Sequence, residues 1–256
     1  IAWSVMIVIS FSGIFFIERN VNIQDYFKPG NPARTAEEIM LRDFGGTKPV
    51  FVLFTGDIQN PELLKTMLEC EAYMKKSPDI QTTQSVASLI ARLYEGFGEG
   101  QGIPDDQGTI EQLWFLIDGN EMLGRMVTED LDQGIIISKF ISSDDESKRA
   151  FEEYMERFVQ ENKSEDFTIQ FTGMPFIDVT MNSSLLRSQI GSLTIAVVFV
   201  VIVVGLIFRS LVKGLLATIP MIAAIIILFG VMGLSGIPLN IATVLVASIA
   251  IGIGID

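Results

Sequence analysis

The residue with the clearest chemical potential is Asp256, which ends the apolar run IAIGIGID at 249–256. A carboxylate inside a bilayer costs several kcal/mol unless it is paired, protonated or facing water, so a functional role is the default reading. Ser248, Gly252 and Asp256 recur at intervals of four, and Gly254 forms a second small pair with Ala250. Spacing of four keeps residues on one helix face, where small side chains let another helix approach closely. The competing reading places Asp256 at the membrane interface, since residues 239–256 cover about 27 Å at helical rise.

Little else in the chain offers reactive chemistry. Histidine is absent and Cys70 is the single cysteine. That removes Ser-His-Asp and Cys-His catalysis, His-rich metal sites, a histidine pH switch and an intramolecular disulfide. No enzymatic activity, no cofactor and no metal are expected. The glycine-rich stretch EGFGEGQGIP at 95–104 matches neither G-x-G-x-x-G nor a P-loop ending, and reads as a flexible loop. The acids of SSDDESK at 142–148 lack the alternating ligands and turn glycine of a calcium loop. They suit the positive end of a helix dipole. NKS at 162–164 and NSS at 182–184 match the glycosylation tripeptide, which arises often by chance.

The elements that position Asp256 are apolar spans. Four segments qualify: 1–17, 190–208, 214–234 and 238–256, the outer two appearing truncated. A bilayer core of about 30 Å needs about 20 helical residues. Residues 1–17 lack the basic flank and cleavage site of a signal peptide. Ile at position 1 and an apolar C-terminus make the chain read as a fragment of a longer protein.

Charge separates these spans from the rest. Thirty of the 31 acids and 16 of the 18 Lys and Arg lie within 18–189. That segment is strongly acidic, which argues against nucleic acid as a partner. The two remaining bases, Arg209 and Lys213, sit in the connector RSLVK, which the positive-inside rule assigns to the cytoplasm. Residues 18–189 then lie outside the membrane. Within them, KPVFVLFTG at 48–56, residues 80–86, GIIISKFI at 134–141 and FTIQFTG at 167–173 read as strands. Helical periodicity fills 60–78, 87–94 and the stretch from 142–145 to about 162. The result is strand–helix–strand twice, an α+β ferredoxin-like domain with an insertion at about 95–133 that carries a helix around 110–117.

Four stretches together resemble one family. They are FKPGNPARTAEEIMLRDFGG at 27–46, FTGMPFIDV at 171–179, FRSLVKGLLATIPM at 208–221 and GIPLNIATVLVASIAIGIGID at 236–256. With the order span, large outer domain, three spans, they resemble the resistance–nodulation–division superfamily, in its MMPL-type and hopanoid-type lipid-exporter branch. In that branch G-x-G-[IV]-D-Y marks the fourth span of a six-span half. The resemblance implies a transmembrane helical bundle with an extracytoplasmic porter domain, in the inner membrane of a prokaryote. It implies export of lipids or other hydrophobic compounds driven by proton-motive force, with Asp256 carrying the proton and Gly252 and Gly254 as motif glycines. The implied partners are membrane lipids, a hydrophobic substrate, a second half of the same polypeptide and a homo-oligomer. Two alternatives stand beside it: a protein-export accessory of the same superfamily, with V-D-A-N in the fourth span, and, from a different class, a sterol-sensing or receptor-like membrane protein that shares the helix core without pumping. A structural scaffold for envelope assembly is the third.

Overall fold

The computed structural model describes residues 2–17, 30–121, 123–142, 144–237, 239 and 243. It divides into two units, Ile23–Asp178 and a second formed by Ile1–Asn22 with Val179–Asp256.

The Ile23–Asp178 unit is mixed α/β. Strands β1 (Lys48–Thr55), β2 (Ile80–Gln84), β3 (Gln133–Phe140) and β4 (Thr168–Gly173) form one sheet in the order β2-β3-β1-β4. All three pairings are antiparallel, with Val52 opposite Ile136 on one side and Phe171 on the other. Helix α3 (Pro61–Met74) joins β1 to β2, and α6 (Asp145–Glu161) joins β3 to β4. This is the split strand–helix–strand arrangement that the alternation of elements predicts.

Local chemistry explains the element ends. Asn60 accepts a hydrogen bond from the Glu62 amide at 2.8 Å, and Pro61 opens α3 with the φ a first turn requires. The preceding helix α2 (Pro32–Phe44) starts the same way on Asn31 and stops on Gly45, whose left-handed φ of 72° suits glycine. In β1, Val50, Val52 and Phe54 alternate into a fully buried face. Leu64 and Met67 of α3 and Phe151 and Met155 of α6 belong to the same core, with Ile136 and Phe140 of β3.

Helix α4 (Val86–Gly96) leads into the insertion, which carries α5 (Gln107–Ile117) and a short 3₁₀ turn at Leu123–Arg125. Its glycine-rich stretch turns at Gly98 and Gly102, both at positive φ, and buries Ile103 beyond them. Asp144 caps α6 by accepting from the Ser147 amide at 2.7 Å, so the acids of 142–148 do serve a helix start.

The second unit contains α1 (Ala2–Ile14), most of α7 (Met174–Ile207) and α8 (Leu211–Leu234). The expected span at 190–208 is the end of a longer helix. Residues 176–190 contain neither glycine nor proline, so nothing ends the helix ahead of the apolar part. That apolar part, Thr194–Ile207, is 14 residues long. Helix α1 has 13 residues and no charge. Among the described helices α8, at 24 residues, is the one long and apolar enough to cross a bilayer. The fourth segment, 238–256, lies outside the described residues apart from two isolated positions.

Helices α7 and α8 meet in a tight reversal. Ser210 donates its amide to the Gly205 carbonyl at 2.9 Å, and Arg209 to that of Leu206 at 3.2 Å. Arg209 takes the left-handed position of this cap, φ 49°, which glycine usually fills. An arginine there costs about 1 kcal/mol or more relative to glycine.

Candidate functional site

Asp256, Ser248, Gly252 and Gly254 all lie outside the described residues. The close helix approach expected of small residues is seen at a different place. On α1, Ser10 is buried and Gly13 stands one turn further on. On α8, Gly230 and Gly233 have the same spacing of three. A Cβ added to Gly230 would run into the Ser10 backbone carbonyl. One added to Gly233 would meet the Gly13 carbonyl, and one on Gly13 the Gly230 carbonyl. The two backbones therefore touch, an approach that any larger residue prevents.

Helix α8 repeats this device at its other end. A Cβ on Gly214 would stand 2.5 Å from the Val201 carbonyl oxygen and 3.1 Å from the Gly205 amide nitrogen of α7. Glycines thus let α8 sit against α7 at one end and α1 at the other. Pro220, between these contacts, has no amide to donate to the carbonyl one turn earlier. The S-x-x-G and G-x-x-G spacings at 10–13 and 230–233 signal the crossing in the sequence. They are easily passed over, because such pairs are common in apolar helices and the partner lies about 220 residues away.

The α/β unit holds two polar clusters in its interior. Glu71 is 2% exposed and bridges α3 to the β2–α4 junction. Its carboxylate accepts from the Thr83 hydroxyl at 2.6 Å and from the Ser85 hydroxyl, while Lys75 stands 3.8 Å away. Ser85 also caps α4. In the second cluster, fully buried Lys148 pairs with Asp145 at 3.0 Å. Burial pushes the Lys48 ammonium below its usual range, and nearby Lys148 adds to the effect against the attraction of Asp178, Glu37 and Asp145. Both clusters are satisfied internally, which marks them as structural.

Helices α3 and α6 are locked by a reciprocal pair. Tyr73 donates to the Tyr154 carbonyl at 3.1 Å, and Tyr154 donates to the Tyr73 carbonyl at 2.8 Å. Their rings stack with centroids 4.0 Å apart. Cys70 beside them is fully buried, and desolvation pushes its thiol pKa far up, so it is not a nucleophile. Among the described residues no group of three or more His, Cys, Asp or Glu is arranged to hold a metal.

Comparison with known proteins points to a membrane protein. Residues 157–255 match the family model of the protein export membrane protein SecD/SecF, C-terminal region. That interval takes in β4, α7 and α8. A predicted membrane protein of Methanocaldococcus jannaschii is 24% identical over 269 aligned residues, covering 98% of this chain and 67% of the relative. The chain is a membrane protein of mixed α/β and helical architecture. Its C-terminal part is similar to a protein-export family related to the resistance–nodulation–division superfamily. The match is nearer to the protein-export alternative than to the lipid-exporter branch.

Proposed function

We propose that this chain is part of an accessory to polypeptide export across a membrane. The observation that carries the reading is the SecD/SecF C-terminal match over 157–255, which covers α7 and the glycine-packed helix α8. In this reading the α/β unit stands outside the cytoplasmic membrane, handles the exported chain and carries out no covalent chemistry. The RSLVK connector, with the charges of Arg209 and Lys213, faces the cytoplasm. Residues 238–256 form a fourth span, and Asp256 couples helix packing to a proton gradient.

The test depletes the full-length protein in its source cell. Pulse-labelled precursors of secreted proteins and exported lipids are then followed in parallel. Accumulation of precursors, with lipid export intact, is the expected result. Normal precursor processing with loss of lipid export would overturn the proposal. Asp256→Asn in the full-length protein should reproduce the depletion phenotype, and export that still responds to the gradient would remove Asp256 from the mechanism.

A further inference from the structure

The insertion carries more charge than any structural role demands. Residues 95–133 contain ten acids and one base, Arg125, for a net charge of −9. All ten acids are exposed. Among the described residues one of them, Asp105, meets a basic partner, Lys65. Like charges gathered this densely repel one another and destabilise the compact state.

The same segment exposes apolar side chains that the core does not use. Helix α5 buries Ile110, Leu113, Trp114 and Ile117 on its inner side. Phe115 and Leu116 point away from them and are 82% and 57% exposed. Phe115 is the most exposed large apolar side chain among the described residues. Leaving such a ring in water forgoes the favourable burial of its apolar surface.

The two features coincide on one face. Glu111 precedes Phe115 by four residues and Asp118 follows it by three, so the three lie along one ridge of α5. Both acids are exposed. Phe115 and Asp118 stand at the C-terminal end of the helix, where the helix dipole adds negative potential. An apolar centre with an acidic rim is the complement of a helix carrying apolar residues between lysines and arginines. A second copy of this chain would bring −9 against −9, which disfavours self-association. A ridge of side chains, with no open strand edge in α5, matches the groove of a helix rather than an extended strand.

We infer that the α5 ridge around Phe115 is a docking surface for a cationic amphipathic helix on a partner protein. The partner's apolar residues cover Phe115 and Leu116, and its basic residues meet Glu111 and Asp118. The surface does not depend on the export reading, because binding is measured without transport.

The test uses the purified full-length protein in a neutral maltoside detergent. The probes are a fluorescein-labelled amphipathic helix of leucine and lysine and its leucine–glutamate counterpart. The lysine probe should bind, more weakly as salt rises, and the glutamate probe should not. Phe115→Ser with Leu116→Ser should weaken binding about tenfold or more, as loss of a central apolar anchor does. Glu111→Lys with Asp118→Lys should weaken it by about as much through the charges alone. The second pair keeps the proposal open to refutation if the first disturbs folding. Unchanged affinity in the Glu111→Lys, Asp118→Lys protein, or equal binding of both probes, would overturn it. So would self-association abolished by Phe115→Ser with Leu116→Ser, which would assign the face to a second copy.

Discussion

Replacing Gly230 with alanine tests whether α1 and α8 touch backbone to backbone. In an unobstructed helix the change is favourable by up to about 1 kcal/mol, because glycine has more backbone freedom to lose. Gly191 of α7 supplies that reference, since a Cβ there meets nothing within 4 Å. At Gly230 the new carbon collides with the Ser10 carbonyl, and a backbone cannot rotate aside as a side chain can. The helices must separate towards the ordinary spacing of about 8–10 Å. The close contacts between them are lost together, and overpacking of this kind costs about 1–3 kcal/mol. Gly191→Ala should therefore stabilise and Gly230→Ala destabilise. Gly233→Ala should resemble Gly230→Ala, because it meets the Gly13 carbonyl in the same crossing. One separation relieves both collisions, so the double variant should cost about as much as either single variant. Equilibrium unfolding of the full-length protein in bicelles measures all four. A stabilising Gly230→Ala, or a double variant equal to the sum, would refute the crossing.

Three further outcomes follow from the α/β unit. Glu71→Ala should lower stability by about 2–4 kcal/mol, because it strands the buried Thr83 and Ser85 hydroxyls and empties the site; thermal unfolding checks this. Cys70 should resist alkylation at neutral and mildly alkaline pH and react only when the chain unfolds. A maleimide time course with and without denaturant reads this, and rapid labelling of the folded protein would contradict the burial. The Ser147 amide holds the Asp144 carboxyl below its usual range. Its folded pKa is thus the lower one, so the stabilisation is present above the unfolded value of about 4 and lost as pH falls through the folded value. Asp144→Ala should cost about 1 kcal/mol or less at neutral pH and flatten the acid limb of a stability–pH curve.

Several features were legible because their causes are local. Asn60 with Pro61 announces α3, and the run GIIISKFI announces β3, since capping and strand periodicity act over a few residues. The acids of 142–148 were readable as a helix start for the same reason. Helix α2 and the first half of α7 were not assigned from periodicity. In α2 no residue is buried, so the core leaves no clear pattern on its sequence. The first half of α7 is polar but unbroken, and hydropathy alone marks the membrane-suited part. The candidate site divides the same way. The Asp256 motif at 248–256 is a local pattern, but it lies outside the described residues. The Ser10–Gly13 and Gly230–Gly233 crossing joins distant segments, so neither half alone identifies its partner.

By itself the sequence determined where charge can go. An acidic segment flanked by nearly uncharged apolar stretches cannot share one environment, because water and hydrocarbon place opposite costs on the two compositions. It also determined the alternation of the four strands with α3 and α6, since each of these is specified by its own periodicity or cap. Only the tertiary structure decided the sheet order, with β1 between β3 and β4, and the core position of Glu71 and Lys148. It likewise decided which glycines matter. A glycine permits close approach anywhere, but only the fold brings a second backbone to Gly214, Gly230 and Gly233 and leaves Gly191 open.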